Sequence, residues 1–267
     1  MIRRAKVAGS FYPSDPVKLE RDVEGYLKGE AVPEKAFLLM APHAGYMYSG
    51  GVAGAVYSSV VVPDDVILLG PNHTGLGQSV SVMEHGVWET PIGEVKINEA
   101  LTAAIIASSN LFKHDNAAHA MEHSLEVQLP FLIKANKNVS IAPITIMTAK
   151  LFECETMGRA IAQVIKDFGK DVLIAVSTDM NHYESVDITR KKDAKAIERA
   201  LALDPKGLLE VTNKEDITMC GVLPAVVGLF AAIELGARQA SLVKYATSAE
   251  AGAGTAQVVG YAGIVVR

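Results

Sequence analysis

Apolar positions along this chain follow two patterns, short unbroken runs and longer stretches with helical spacing. Unbroken apolar runs are typical of strands that are covered on both faces of a sheet. Stretches with an apolar residue at every third or fourth position are typical of helices that pack on one side. The runs predict strands over residues 37–41, 66–70, 140–146, 171–176, 240–245 and 257–266, and a hairpin over 79–88. The helical stretches are 16–27, 51–60, 98–107, 124–135, 151–165, 187–203, 205–211 and 223–235.

The order of these elements predicts the fold class. Strands that alternate with helices are typical of right-handed crossovers, so we expect an α/β fold, an α/β/α sandwich with a mostly parallel central sheet. No Pro- or Ser-rich linker, charge block or fixed repeat divides the sequence. One domain is therefore expected over residues 1–267.

Two histidines directly follow predicted strands. His43 comes after the strand at 37–41 and His73 after the strand at 66–70, both in loops with proline and glycine. Loops that leave the carboxyl ends of strands in an open α/β sheet line the ligand crevice, and imidazole is the commonest protein ligand for metals. The pair could share one metal ion. The alternative is that each histidine only caps or hydrogen-bonds a turn.

A third predicted strand, at 171–176, leads into a polar loop that contains Asp179 and His182. This loop would bring a third imidazole to the same edge of the sheet. Asp179 precedes His182 by three residues, close enough to orient the ring or to raise its basicity, as in a general base. The alternative is an Asx turn beside a surface histidine.

The chain has two cysteines, Cys154 and Cys220. Cys220 lies just ahead of the helix at 223–235, where the helix dipole favours a thiolate that can bind metal or be oxidised. It could instead be a small buried residue, which is how we interpret Cys154 on the apolar stripe of its helix. Two cysteines form no disulfide framework, so a reducing cytoplasm is the predicted location.

Residues 119–123 match H-x-x-E-H, a zinc-peptidase pattern. That chemistry needs His119 and His123 one turn apart on a single helix. Here Ser124 resembles a helix cap, which would start the helix at 124–135 after the motif. With no third ligand identified, the match alone does not establish a peptidase.

Charge and hydropathy exclude two classes of partner. The 25 basic and 30 acidic residues give a formal net charge of -5, without a basic stripe interleaved with aromatic residues, so nucleic acid is not expected. The charged first residues are not followed by the apolar segment of a secretory signal. The longest apolar stretch, 222–233, falls short of the ~20 residues that cross a bilayer, so no membrane association is expected.

Several segments, in order along nearly the whole chain, resemble the Memo family. They are residues 8–13, 42–50, 70–73, 122–130, 177–182 and 219–221. Memo proteins are similar in fold to the class III extradiol ring-cleavage dioxygenases. The resemblance implies a metal centre at His43, His73 and Cys220, with His182 in the place of the dioxygenases' acid/base histidine.

The resemblance also implies a cleft beside the metal. The catalytic residues expected there are His182, Asp179 and Cys220. The residues expected to line the substrate pocket are Phe11, Tyr12, Tyr46, Asn72, Glu122 and His123.

The implied ligand set differs from that of the dioxygenases, which hold Fe(II) with two histidines and a carboxylate. The thiolate of Cys220 is a softer ligand that suits Cu or Zn, while iron remains a candidate. Animal Memo proteins are associated with copper or iron redox chemistry and with phosphotyrosine peptides, and microbial relatives with a radical-SAM protein and a second small partner. We therefore expect one metal ion, with Cu or Fe favoured over Zn.

Three functions follow from these features. The first is a metal-dependent redox enzyme, with His182 moving protons and Cys220 as ligand and site of oxidation. The second is a non-catalytic module that binds a small molecule, peptide or partner in the ancestral cleft, since fold does not fix function. The third is a metallohydrolase that uses a metal-bound water.

Overall fold

The structure is a computed structural model that describes residues 1–29 and 32–267. Its strands are β1 (Ile2–Arg3), β2 (Leu38–Ala41), β3 (Asp65–Pro71), β4 (Val80–Val82), β5 (Val87–Thr90), β6 (Gly93–Ile97), β7 (Lys113–His114), β8 (Ser140–Ile146), β9 (Val172–Ser177), β10 (His182–Glu184), β11 (Ala240–Thr247) and β12 (Val258–Val266). Its helices are α1 (Pro16–Tyr26), α2 (Tyr46–Ser58), α3 (Glu99–Ser108), α4 (Ala117–Ala120), α5 (Leu129–Ala135), α6 (Leu151–Phe168), α7 (Val186–Leu201), α8 (Pro205–Lys214) and α9 (Val222–Glu234).

The strands form one sheet whose centre is parallel. Its order is β1-β5-β6-β8-β3-β9-β2-β12-β10, with β11 paired to β12, β4 to β8 and β7 to β4. The run β6-β8-β3-β9-β2 is parallel throughout, whereas β12 joins β2 in the antiparallel direction. Strand β9 therefore lies between β2 and β3, and the three carboxyl ends meet at one edge.

Apolar side chains cover both faces of the sheet. In β2, Leu38 and Met40 belong to one apolar cluster, while Leu39 and Ala41 belong to the other, as the alternation of a strand requires. Buried residues of α3, α6 and α9 join the first cluster, and those of α1, α2 and α5 join the second. These layers confirm the predicted α/β/α sandwich.

The predicted hairpin at residues 79–88 is wrong. Strand β4 pairs with β8 and β7, and β5 instead forms a hairpin with β6, in which Thr90 lies opposite Gly93. Gly86 (φ 121°) separates β4 from β5, and Gly93 (φ 147°) closes the actual hairpin. Both conformations favour glycine, but hydrophobic alternation alone does not show which strand will be the partner.

Two helices near the site differ from their predicted bounds. Helix α2 begins at Tyr46, ahead of the predicted residue 51. The N–H of Tyr46, which has no acceptor within the helix, donates to the carbonyl oxygen of Phe11 (2.8 Å). The helix predicted at 124–135 begins instead with a 3-10 turn at Glu126–Gln128, followed by α5. This turn carries buried polar side chains toward the edge of the sheet described below.

Within the described ranges, helices are either too short or too polar to cross a bilayer.

Candidate metal centre

Three imidazoles converge at the carboxyl edge of the sheet. His43 follows β2, His73 follows β3, and His123 comes from the segment between α4 and the 3-10 turn. One ligand nitrogen from each lies within 4.8 Å of the other two. The ring centroids are 5.3 Å apart for His43 and His73 and 4.7 Å apart for His73 and His123. Such spacing is suitable for one metal ion held by three imidazole nitrogens.

His43 is the most enclosed of the three, with 2% of its surface exposed. Its Nδ1 lies 2.8 Å from Oγ of Ser177, the last residue of β9. Its backbone N–H donates to Oδ1 of Asp179 (2.8 Å). Burial, followed by the neighbouring imidazoles of His123 and His73, lowers the pKa of His43 well below its usual value. The ring is therefore neutral, the form in which imidazole binds metals.

Glu122 organises the other two imidazoles. Its Oε1 lies 2.8 Å from Nδ1 of His73 and 3.5 Å from Nδ1 of His123, and it accepts from the N–H of Ser124 (2.9 Å). Burial alone would raise the pKa of Glu122, but the hydrogen bonds from His73 and Ser124 lower it to about 2. An ionised carboxylate hydrogen-bonded to Nδ1 of His73 leaves Nε2 of that ring available to a metal and increases the basicity of that nitrogen.

Cys220 borders this cluster beside His43. Its Sγ lies 3.3 Å from Nε2 of His43 and accepts from the backbone N–H of Asp179 (3.3 Å). Helix α9 begins at Val222, with Gly221 as its cap, so Cys220 lies outside the first turn. Burial and the nearby Asp179 carboxylate raise the pKa of the thiol, opposite to the shift that we expected from the helix dipole.

Asp179 and His182 reach the same edge but form no hydrogen-bonded pair. Nδ1 of His182 lies 2.9 Å from the carbonyl oxygen of Thr218, and its backbone N–H donates to Oγ1 of the same threonine (2.8 Å). Since a carbonyl oxygen only accepts, Nδ1 carries the hydrogen and Nε2 is free to accept a proton. Thr218, rather than Asp179, therefore orients the His182 ring.

The expected pocket residues occupy different positions around the cluster. The ring of Phe11 lies 4.7 Å from that of His123 and borders the site. The hydroxyls of Tyr12 and Tyr46 turn away into the protein, where they donate to Glu126 and to the carbonyl oxygen of Val127 (both 2.7 Å).

The loop after β3 is shaped by Asn72. Its Oδ1 accepts from the backbone N–H groups of Thr74 and Gly75, and its Nδ2 donates to the carbonyl oxygen of Leu76 (2.7 Å). These bonds fold the loop that carries His73. In the structure, Asn72 thus acts on the backbone of that loop.

The two histidines of the H-x-x-E-H motif separate in space. Helix α4 ends at Ala120, so His119 and His123 do not share a helix. Nε2 of His119 lies 3.2 Å from the carbonyl oxygen of Ser81 in a buried position, and only His123 joins the cluster. The geometry that a zinc peptidase of this type needs is absent from residues 119–123.

The polar groups that hold the imidazoles were not predicted from the sequence; two of them, Ser177 and Gln128, are buried, and Thr218 is exposed. Ser177, Gln128 and Thr218 each contact a site residue or its immediate partner. Ser177 could have been found, because it ends the strand that leads into the Asp179 loop. Gln128 carried no such signal, since only the folded 3-10 turn brings it under β2 and β9.

The fold and the cluster define an α/β protein with a candidate metal centre at the carboxyl edge of its sheet. The chain matches the family model for Memo-like proteins over residues 3–265. It is 38% identical to a MEMO1 family protein of Methanopyrus kandleri (100% of this chain, 99% of that protein) and 41% identical to one of Ignicoccus hospitalis (99% and 98%). It is also 42% identical to a MEMO1 family protein of Saccharolobus islandicus (98% of each chain). The chain belongs to the Memo-like family.

The fold is also similar to that of a crystallised protein of distant sequence. This is an uncharacterized protein from Escherichia coli K12, with a TM-score of 0.51 and 14% identity, covering 84% of this chain and 98% of that chain. At that identity the likeness bears on the fold alone.

Proposed function

We propose that the protein is a metal-dependent redox enzyme that holds Cu or Fe at this edge of the sheet. The observation that carries the proposal is the convergence of His43, His73 and His123, whose ligand atoms lie within 4.8 Å of one another. Cys220 adds a sulfur donor 3.3 Å from Nε2 of His43. Imidazole nitrogen with a sulfur donor is a set that suits Cu and Fe, and also Zn.

In this proposal the protein supplies the ligands and their orientation. His43, His73 and Cys220 hold the ion as the family resemblance implies, and His123 adds the third imidazole. Glu122 orients His73 through its Nδ1 and lies beside the ring of His123. A bound Cu or Fe would supply the one-electron chemistry that these side chains lack.

Proton transfer is assigned to His182. Its Nδ1 is engaged by Thr218, so Nε2 is the atom that can take or give a proton. Asp179, from the same loop, is buried and accepts from the backbone N–H of His43, which couples the acid/base loop to the metal ligands. Phe11 would contact a substrate that enters beside His123.

The test is elemental analysis of protein purified without oxygen under reducing conditions, which keep Cys220 from oxidising. We expect near-stoichiometric Cu or Fe, with loss of the metal in His43→Ala and in Cys220→Ser. The matched control is His114→Ala, because His114 is a surface histidine outside the cluster. Full metal content in both His43→Ala and Cys220→Ser would overturn the assignment.

The same preparation distinguishes redox chemistry from hydrolysis. Oxygen consumption that requires the metal would support the redox enzyme. Zinc in place of Cu or Fe, together with turnover of an ester or amide panel, would instead support the metallohydrolase.

A second candidate function is a binding module that uses the same cleft. Four large apolar side chains are exposed close in sequence to expected site residues. They are Met47, Leu76, Met121 and Tyr183. Exposed apolar side chains favour the docking of an apolar ligand or partner. The candidates are a small molecule, a peptide, or the radical-SAM protein and second small partner associated with microbial relatives.

Chelation separates the two functions. A module that only docks a ligand should keep its affinity for a peptide or partner when the metal is removed, whereas the redox enzyme should lose turnover. We also propose a cytoplasmic location, where Cys154 and Cys220 would stay as free thiols.

A further inference from the structure

Ser177 is at the centre of a buried hydrogen-bond network behind His43. The residue is fully buried at the end of β9, and its Oγ has three polar neighbours. Oγ donates to the carbonyl oxygen of Ser124 (2.7 Å), lies 2.8 Å from Nε2 of Gln128, and lies 2.8 Å from Nδ1 of His43. A serine hydroxyl has one hydrogen and two lone pairs, so these three contacts use all of its hydrogen-bonding capacity.

The amide of Gln128 can have only one orientation. Its Nε2 also lies 2.9 Å from the carbonyl oxygen of Pro42, which can only accept. Its Oε1 accepts from the hydroxyl of Tyr57 (3.1 Å). Gln128 therefore presents an N–H to Ser177 and occupies one of the two lone pairs of Oγ.

The single hydrogen of Ser177 is committed to Ser124. The carbonyl oxygen of Ser124 is a buried acceptor, and Ser177 is the donor that satisfies it. If the hydroxyl turned toward His43 instead, that carbonyl would lose its partner, and an unsatisfied buried acceptor is disfavoured by roughly tenfold or more. The contact between Ser177 and His43 must then be a bond that Nδ1–H of His43 donates.

We propose that Ser177 is a positioning residue that sets the tautomer of His43, with the hydrogen on Nδ1 and the lone pair of Nε2 facing the metal centre. That lone pair faces Sγ of Cys220 at 3.3 Å. Without this hydroxyl, His43 could place its hydrogen on Nε2, and that nitrogen would have to lose it before binding a metal. The link to metal binding rests on the proposed function, whereas the tautomer itself does not.

The first experiment is nitrogen NMR of the full-length protein labelled at histidine, with a chelator and reductant present. The His43 signals are assigned by their loss in His43→Asn. We expect wild type to hold the hydrogen on Nδ1 and Ser177→Ala to shift the population toward Nε2. Ser177→Thr keeps the hydroxyl and should restore the wild-type tautomer, which a general loss of packing would not do.

The second experiment is a titration of the same proteins with Co(II) or Cu(II) at fixed pH. We expect affinity to fall by about tenfold or more in Ser177→Ala and to return toward wild type in Ser177→Thr. Ser59→Ala is the control, because Ser59 is a buried serine whose hydroxyl donates to the carbonyl oxygen of Val56, away from the cluster. Thermal unfolding of each variant confirms that it is folded.

The outcomes separate this inference from the proposed function. An Nε2-protonated His43 in wild type, or an unchanged tautomer in Ser177→Ala, would overturn the inference even if the protein binds metal. The expected tautomers in a protein that binds no metal would support the role of Ser177 and count against the redox enzyme.

Discussion

Sγ of Cys220 lies 3.3 Å from Nε2 of His43, the nitrogen opposite to the one that contacts Ser177. A metal bound at Nε2 of His43 would therefore lie within reach of the sulfur. His123 also lies close to His43, with its ring centroid 5.5 Å from that of His43 and a ligand nitrogen within 4.8 Å. The thiol and the third imidazole are thus both available as donors, and the two can be distinguished experimentally.

We expect Cys220→Ser and His123→Asn both to weaken metal binding, but only Cys220→Ser to remove a sulfur signature. With Co(II) bound, a thiolate ligand gives charge-transfer absorption in the near ultraviolet that imidazole does not give. The measurement is a Co(II) titration followed by absorption, and Cys154→Ser is the control because Cys154 is buried in α6. Charge-transfer absorption that survives in Cys220→Ser would show that Cys220 is not a ligand.

The positions of His43, His73 and His182 were predictable because each follows a strand of the parallel centre of the sheet. In such a sheet the carboxyl ends of neighbouring strands meet at one edge. The order β3-β9-β2 accordingly brings the three loops together. The sandwich and its core were predictable too, since unbroken apolar runs are typical of strands that are covered on both faces.

His123 and its supports could not be placed from sequence in the same way. His123 belongs to an irregular segment next to Glu122. The Glu122 carboxylate is hydrogen-bonded to Nδ1 of His73 and lies 3.5 Å from Nδ1 of His123. The backbone of Glu122 is in turn held by Arg3, which donates to its carbonyl oxygen (2.6 Å). Contacts between residues more than a hundred positions apart leave no local pattern in the sequence.

We expect Arg3→Met to destabilise the fold by about 3–5 kcal/mol. Arg3 and Glu126 form a buried ion pair (2.7 Å) in which neither side chain has more than 4% of its surface exposed. Without Arg3, the Glu126 carboxylate stays buried beside Tyr12 without its cation. Urea unfolding followed by circular dichroism measures the change.

The neighbouring arginine provides the control for this change. The side chain of Arg4 is 84% exposed, 3.9 Å from Glu89, so Arg4→Met should change the free energy of unfolding by less than about 0.5 kcal/mol. Equal changes in the free energy of unfolding for Arg3→Met and Arg4→Met would contradict a stabilising role for the buried ion pair.

We expect Gly54→Ala to destabilise the protein by roughly 1–3 kcal/mol. Helix α2 crosses α1 where a Cβ on Gly54 would overlap the carbonyl oxygen of Tyr26, a backbone atom that cannot turn aside. Gly51 is on the same helix, but a Cβ there would meet nothing closer than Nζ of Lys244 at 3.6 Å. Gly51→Ala should therefore stabilise by up to about 1 kcal/mol through helix propensity. Thermal unfolding should therefore show a lower midpoint for Gly54→Ala and an equal or higher midpoint for Gly51→Ala. A loss of stability in both variants would contradict the packing explanation.

Asp193 should make the stability of the fold decrease as the pH rises. Burial raises the pKa of Asp193 to about 6, although bonds from the Tyr245 hydroxyl and the Asn181 N–H oppose the shift. Between about pH 4 and 6 the folded protein keeps a proton that the unfolded chain, with the ordinary pKa of 3.8, has released. The free energy of unfolding therefore decreases across this window. Above pH 6 the ionised Asp193 lowers it by its full amount, on the order of 3 kcal/mol.

Replacing the carboxyl by an amide should remove this dependence. Asp193→Asn keeps an acceptor for the N–H of Asn181 but cannot ionise, so its stability relative to wild type should rise from pH 4 to pH 7. Glu198→Gln on the exposed face of the same helix is the control, and its curve should run parallel to that of wild type. Urea unfolding at each pH gives the comparison. Parallel curves for Asp193→Asn and wild type would show that Asp193 is ionised with little penalty, so that burial does not hold its proton.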